Sequence, residues 1–254
     1  MELSAVLESV FRWIHIVAGI VWIGHLYFFN FVNAGFAPTM DGPTKQKVVP
    51  ELMPRALFWF RWGAAWTWVT GVLLLLLVFW HGGALFAAPG QGSAGLAIVM
   101  VAITFFAAVV YDALAKSGLG KDLRMLAAVG LLLVAIVALG YVRAGFGYRA
   151  YVIHTGTLFG TIMAFNVWMR IWPAQRQIIA ATKQGQAPDA SLVAQAGARS
   201  RHNTYLSVPL VWMMIDAHTT AFSGGGVLTL LIMIVIGWAA VYMLYTKAGG
   251  VKGF

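Results

Sequence analysis

The chain has 254 residues, 61% hydrophobic and 10% charged, with a net charge of +9 and no cysteine. So little charge excludes a water-soluble domain of ordinary make-up. The absent cysteine excludes disulfides, thiolate metal sites and a covalently attached c-type haem, which needs C-x-x-C-H.

Charge-free stretches long enough to cross a bilayer, about 20 helical residues each, recur along the chain. In lipid each must satisfy its own backbone hydrogen bonds, so helices are the expected form. The reading is an all-α polytopic membrane bundle of seven transmembrane helices forming one integral-membrane domain over residues 1–254. The N-terminus MELSAVLES is acidic and no small-residue cleavage site follows, so no signal peptide is expected.

The first span covers 9–33, with no charge between Trp13 and Met40. Within it FRWIHIVAGIVWIGHLYFFNFV, residues 11–32, carries His15 and His25. The second span is 56–80 and includes RALFWFRWGAAWTWVTG, four tryptophans around Arg61; Trp59 and Trp62 read as an interfacial aromatic belt with a snorkelling arginine, and Trp66 and Trp68 as lying deeper. The third and fourth are 93–111 and 124–142, and the fifth is 149–172. The polar stretch 173–201 is expected to extend the fifth span as a cytoplasmic helix and then form a loop. The sixth span, 203–222, is interrupted by Pro209 and Asp216, and the seventh is 225–246.

With this count, fourteen basic residues share a side with the C-terminus and three, Arg12, Arg143 and Arg149, lie opposite. The positive-inside rule then puts the N-terminus outside and the C-terminus in the cytoplasm. The net positive charge is mostly this bias, with some attraction to anionic lipid, and calls for no nucleic acid.

An ionisable residue inside a span is a functional hypothesis by default. At a rise of about 1.5 Å per residue, His15, His154 and His218 all fall about 6–9 Å below the outer surface, on three different spans. Imidazoles layered in this way suit metal or haem ligation. His15 has Gly19 one turn on, and His154 is followed by Gly156 and Gly160, a small-xxx-small pair that permits close helix approach. Arg143 and Arg149 lie just above this layer, where they could pair with haem propionates. His15 and His154 are the first choice as axial ligands of a haem b iron. His218 and Asp216 are the candidates for proton handling, or a third ligand. Each histidine has a plain alternative as a hydrogen-bond donor to a neighbouring helix.

His25 lies about 15 Å deeper than His15 and about 80° around the helix. It either makes a structural hydrogen bond or holds a second, inner haem with Met163. His81 and His202 read as loop and interface residues. No P-loop, dinucleotide fingerprint or nucleophile elbow is present.

Four blocks, WIHIVAGIVWIGHLYFFNFV, RALFWFRWGAAWTWVTG, GTIMAFNVWMRIWPAQRQII and RSRHNTYLSVP, resemble the N-terminal membrane domain of bacterial membrane-bound urate oxidases, or urate hydroxylases, from about residue 10 to 246. A more distant likeness is to the copper-resistance D and haem-dependent protoporphyrinogen oxidase membrane families. The resemblance implies a multi-pass protein of the bacterial inner membrane that oxidises urate to 5-hydroxyisourate, with water as oxygen source. Members of the family it resembles carry one more helix and a C-terminal periplasmic cytochrome c. This sequence lacks the cysteines for one, so the implied partner is a separate periplasmic cytochrome c. The alternatives are a non-catalytic or electron-transfer subunit of a larger membrane redox complex, and a copper or other metal permease using the same imidazoles.

Overall fold

The computed structural model describes residues 2–88 and 90–253. Among them the chain is helical throughout, and its only extended pairings are two isolated bridges, Phe86 with Phe146 and Ala88 with Gln91. Helix α1 (Leu3–Tyr27) runs through a π-helical turn, Phe28–Asn33, into the short α2 (Ala34–Phe36). Helix α3 (Gly42–Leu74) contains Pro50 and Pro54 and ends in a second π-helical turn, Leu75–His81. Helices α4 (Ala94–Lys116) and α5 (Leu123–Arg143) follow. Helix α6 (Tyr148–Asn166) passes through a third π-helical turn, Val167–Ile171, into α7 (Trp172–Lys183). Helices α8 (Ala190–Thr219) and α9 (Gly226–Gly249) complete the chain.

The seven expected spans fall on α1, α3, α4, α5, α6, α8 and α9, but the helices outrun them. Hydropathy marks only the apolar part of a helix, whereas capping sets its ends. Asp41 accepts the Thr44 N–H at 2.8 Å just before α3, so that helix starts well ahead of its apolar stretch. Asp189 likewise accepts the Ser191 N–H at 2.7 Å, so α8 begins at Ala190 and the loop expected within 173–201 shrinks to 184–189. The hydroxyl and then the backbone N–H of Thr44 hold the Asp41 carboxyl below its ordinary pKa, and Ser191 does the same for Asp189.

Six helical stretches among the described residues are long and apolar enough to cross a membrane, and they contain α1, α3, α4, α5, α6 with α7, and α9. Their surfaces expose large apolar side chains, such as Trp13 at 71% and Ile20 at 68%, as a helix meeting lipid would. Helix α8, which holds the expected span 203–222, is outside that set. It carries Arg199, His202, Asn203, Thr204, Ser207 and Asp216, and all of them are buried.

The chain divides into two compact units. One comprises Met1–Glu8, Val72–Ile162 and Val208–Gly237; the other comprises Ser9–Gly71, Met163–Ser207 and Trp238–Phe254. In the first unit small residues set the helix contacts. A Cβ on Gly140 would fall 2.7 Å from Met100 Cε, one on Gly156 3.3 Å from Met214 Cε, and one on Gly237 2.7 Å from Pro209 Cγ. The segment after α3 is tied to the α5–α6 turn by Ala87 N–H to Gly145 O (3.0 Å) and Gly147 N–H to Leu85 O (2.9 Å). Gly145 sits at φ +92°, with Gln91 O only 2.7 Å from where a Cβ would be, so the turn requires glycine on both counts.

In the second unit α1 lies against α3 at Gly63, where a Cβ would come within 3.0 Å of Trp22 N and 3.2 Å of Ala18 O. These are backbone atoms of a helix and cannot yield locally. Gly63→Ala is therefore expected to force the helices apart and cost about 1–3 kcal/mol. Gly24→Ala, with nothing within 4 Å, is expected to be neutral or stabilising by up to about 1 kcal/mol. Thermal unfolding of the two variants in detergent checks the opposite signs.

Candidate functional site

Helix α6 supplies the best-defined site, in the first unit. His154 is completely buried, and its Nδ1 lies 2.7 Å from Ala150 O. A carbonyl can only accept, so Nδ1 carries the proton and Nε2 presents its lone pair. That Nε2 is buried and has no hydrogen-bond partner. Three aromatic rings surround the imidazole: Phe146 with centroids 4.9 Å apart, Tyr141 at 5.7 Å and Phe79 at 6.0 Å.

Each ring is fixed by a different element. Phe79 comes from the π-helical turn that ends α3. Tyr141, near the end of α5, is held by its hydroxyl to Thr104 Oγ1 of α4 at 2.5 Å, and that threonine donates to Met100 O at 2.8 Å. Phe146 stacks on Tyr141 at 5.1 Å and pairs through its backbone with Phe86. The result is a neutral imidazole with a locked tautomer and a free lone pair in an apolar cage. A neutral imidazole in that state can ligate a metal through Nε2, so His154 is the residue here that could hold a metal-bearing group.

Asp216 lies in the same unit, 1% exposed. Its carboxylate accepts a hydrogen bond from the Tyr148 hydroxyl and one from Thr219 Oγ1 at 3.5 Å. Beside it Arg149 Nε donates to Ala217 O at 2.7 Å, so the start of α6 is stitched to the end of α8 twice. Tyr151 packs edge-on against Tyr148 at 5.3 Å. His218, two residues beyond Asp216, is exposed, in keeping with the different faces expected of these neighbours. Arg143 and the body of Arg149 are exposed as well. The Asp216 carboxylate therefore has a tyrosine partner that its sequence neighbourhood does not announce.

His15 belongs to the second unit. Its Nδ1 is 3.2 Å from Thr70 Oγ1, whose proton goes to Trp66 O at 2.6 Å, so the hydroxyl oxygen accepts from the imidazole. Gly71 opens the space, since a Cβ there would come within 3.0 Å of His15 Cε1. Gly19 faces Thr67, 3.8 Å from a built Cβ, and so serves the approach of α1 to α3. His25, half-buried in the same unit, repeats the lock seen at His154, with Nδ1 donating to Val21 O at 2.7 Å. The structure thus groups His154, Asp216, His218, Arg143 and Arg149 in one unit and His15, Gly19 and His25 in the other. Among the described residues no group of three or more His, Asp or Glu side chains could hold a metal ion.

A polar network in the second unit was not anticipated. Asn166 Nδ2 donates to Asn203 Oδ1 at 2.8 Å, and Asn203 Nδ2 donates to Met163 O at 3.0 Å. The Tyr27 hydroxyl meets Ser207 Oγ at 3.1 Å. Asn30, in the first π-helical turn, donates to Ser200 Oγ at 2.8 Å and accepts from the Tyr245 hydroxyl at 2.9 Å. The signal lies in RSRHNTYLSVP, where Arg199, Asn203 and Ser207 recur every fourth residue and so share one helix face. His202, expected at an interface, is buried in this helix at 8% exposure.

Tyr148→Phe leaves the buried Asp216 carboxylate without its principal donor. It is expected to destabilise the protein by about 1–3 kcal/mol, whereas Tyr242→Phe, on a residue 66% exposed, is expected to be silent. Thermal unfolding of the two variants measures the difference.

The urate oxidase N-terminal family matches residues 40–249, a stretch that contains the His154 cage, the Tyr148–Asp216 pair and most of the polar network, and that begins after His15 and His25. No curated protein and no solved structure matches the chain. With the greater part of its length matched, the chain belongs to the urate oxidase N-terminal family.

Proposed function

We propose that this chain is a seven-span haem b protein of the bacterial inner membrane that oxidises urate to 5-hydroxyisourate and passes the electrons to a c-type cytochrome. One observation carries the haem assignment: the buried, unpartnered Nε2 of His154, opposite an Nδ1 locked to Ala150 O. Family membership carries the substrate. Helix α8, 30 residues long and so about 45 Å, is the seventh span in this reading. The distribution of basic residues supports an outer N-terminus and a cytoplasmic C-terminus.

A haem bound at His154 would supply one-electron redox chemistry. The chain's own residues do the rest. Ala150 O fixes the ring orientation of His154. Phe79, Tyr141 and Phe146 keep water from its lone pair. Conversion of urate and one water to 5-hydroxyisourate releases two electrons and two protons. Asp216, buried and hydrogen-bonded by Tyr148, is the carboxylate to which we assign one of those protons, with His218 as a route to the surface. In the second unit His15, and His25 with Met163, are the further residues that would hold haem.

A reduced-minus-oxidised visible spectrum of protein expressed with ample haem tests the reading. The wild type should show α and Soret bands. His154→Ala should lose them, while His81→Ala, on an exposed residue, should keep them. Bands that persist undiminished in His154→Ala would refute the assignment. Intact bands with no urate consumption in the presence of an electron acceptor would leave an electron-transfer subunit instead.

A further inference from the structure

Arg61 of α3 holds its guanidinium among aromatic rings, with no acceptor for its Nε among the described residues. Its guanidinium carbon lies 4.0 Å from the centroid of Trp172, 5.6 Å from Phe58 and 6.0 Å from Trp168. The cage is built rather than incidental. Trp168 donates its indole N–H to Arg61 O at 3.1 Å, and Trp62 packs edge-on against Trp168 at 5.5 Å. Trp168 itself comes from the π-helical turn Val167–Ile171, a kind of distortion concentrated at functional sites. Within this cage Arg61 Nε is buried and has no hydrogen-bond partner.

Aromatic faces satisfy the flat sides of a guanidinium by cation–π attraction, but its N–H groups point out along the edge and still need acceptors. Among the described residues no charged acceptor meets it. The unit containing Arg61 has three carboxylates, and each is engaged elsewhere: Asp41 with Thr44, Glu51 with Arg55 at 2.7 Å, and Asp189 with Ser191. The same unit carries twelve basic residues. A planar fork of donors with covered faces and no counter-charge is the geometry that receives an oxyanion in bidentate fashion.

The surroundings point to where that oxyanion comes from. Trp59 is 57% exposed, Trp62 41% and Trp66 54%, on the same stretch of α3. Tryptophans displayed in this way sit at the headgroup level of a bilayer. Beside the cage runs an open groove of about 560 Å³ lined by Pro50, Glu51, Pro54, Arg55, Phe58 and Trp59, and Phe58 is common to groove and cage. We infer that Arg61, with Trp172, Trp168 and Phe58, forms a specific site for the phosphate of an anionic phospholipid whose glycerol backbone lies along the Pro50–Trp59 groove. This goes beyond the haem and urate reading and does not depend on it.

Native mass spectrometry of the purified, detergent-solubilised protein tests it, with phosphatidylglycerol, phosphatidylcholine and inorganic phosphate as the three probes. The wild type should retain phosphatidylglycerol at least about tenfold more tightly than phosphatidylcholine, and Arg61→Gln should remove that preference. Arg61→Lys keeps the charge and loses the fork, so it should retain an intermediate preference; it also serves if Arg61→Gln proves unstable in thermal unfolding. Equal retention of the two lipids by the wild type, or an unchanged preference in both variants, would overturn the proposal. Displacement of phosphatidylglycerol by inorganic phosphate at equal concentration would also overturn it, by identifying a site for a free anion.

Discussion

Every polar group inside these helices has to find its partner within the protein, and that requirement organises the structure. Threonine shows it most simply. Thr67, Thr70, Thr104, Thr155, Thr157, Thr161, Thr182, Thr204 and Thr246 each donate to the carbonyl four residues back. A hydroxyl is thereby absorbed by its own helix and need not seek water. His25 and His154 use the same carbonyl with Nδ1. At His154 this local solution leaves a second nitrogen over, and because aromatic rings close the surroundings, nothing in the protein can use it. An orphan of this kind in a low-dielectric interior is costly unless a ligand completes it.

The long polar side chains of α8 meet the same requirement in another way. Arg199, His202, Asn203, Thr204 and Ser207 are buried, and within their unit Asn203 is answered from α6 and Ser207 from α1. Their helix is therefore the least hydropathic of the long ones while being among the most buried. Hydropathy falls where a helix is sheltered by protein, and it rises where lipid is the neighbour. The same contrast separates α1, with Trp13 and Ile20 largely exposed, from α6, with a nearly continuous run of buried residues around His154.

The two outcomes explain what could be read in advance. Six of the expected spans were legible because apolar length is a one-dimensional property, and they fall on helical stretches long and apolar enough to cross a membrane; the sixth, on α8, is not in that set. The helix starts were not, since Asp41 and Asp189 act through local capping bonds that a hydropathy profile does not weigh. His154 stood out as an imidazole in an apolar segment, but its cage did not, because Phe79, Tyr141 and Phe146 converge from three separate parts of the chain. Asp216 was legible as a buried carboxylate, and Tyr148 as its partner was not, for the same non-local reason. The four-residue spacing of Arg199, Asn203 and Ser207 was visible but sat at the edge of a stretch polar enough to pass for a connector.

The three π-helical turns have a consequence for how this chain can change. Each widens one turn of an otherwise regular helix, and each contributes a residue with a specific neighbour: Asn30 beside Ser200 and Tyr245, Phe79 beside His154, Trp168 beside Arg61. Such a turn takes up one residue more than regular winding does, so losing that residue would restore an α-turn and leave the rest of the helix in register, while removing the side chain the turn presents. A one-residue deletion there should therefore spare the helix and cost one specific contact, the same contact that substitution of Asn30, Phe79 or Trp168 would remove.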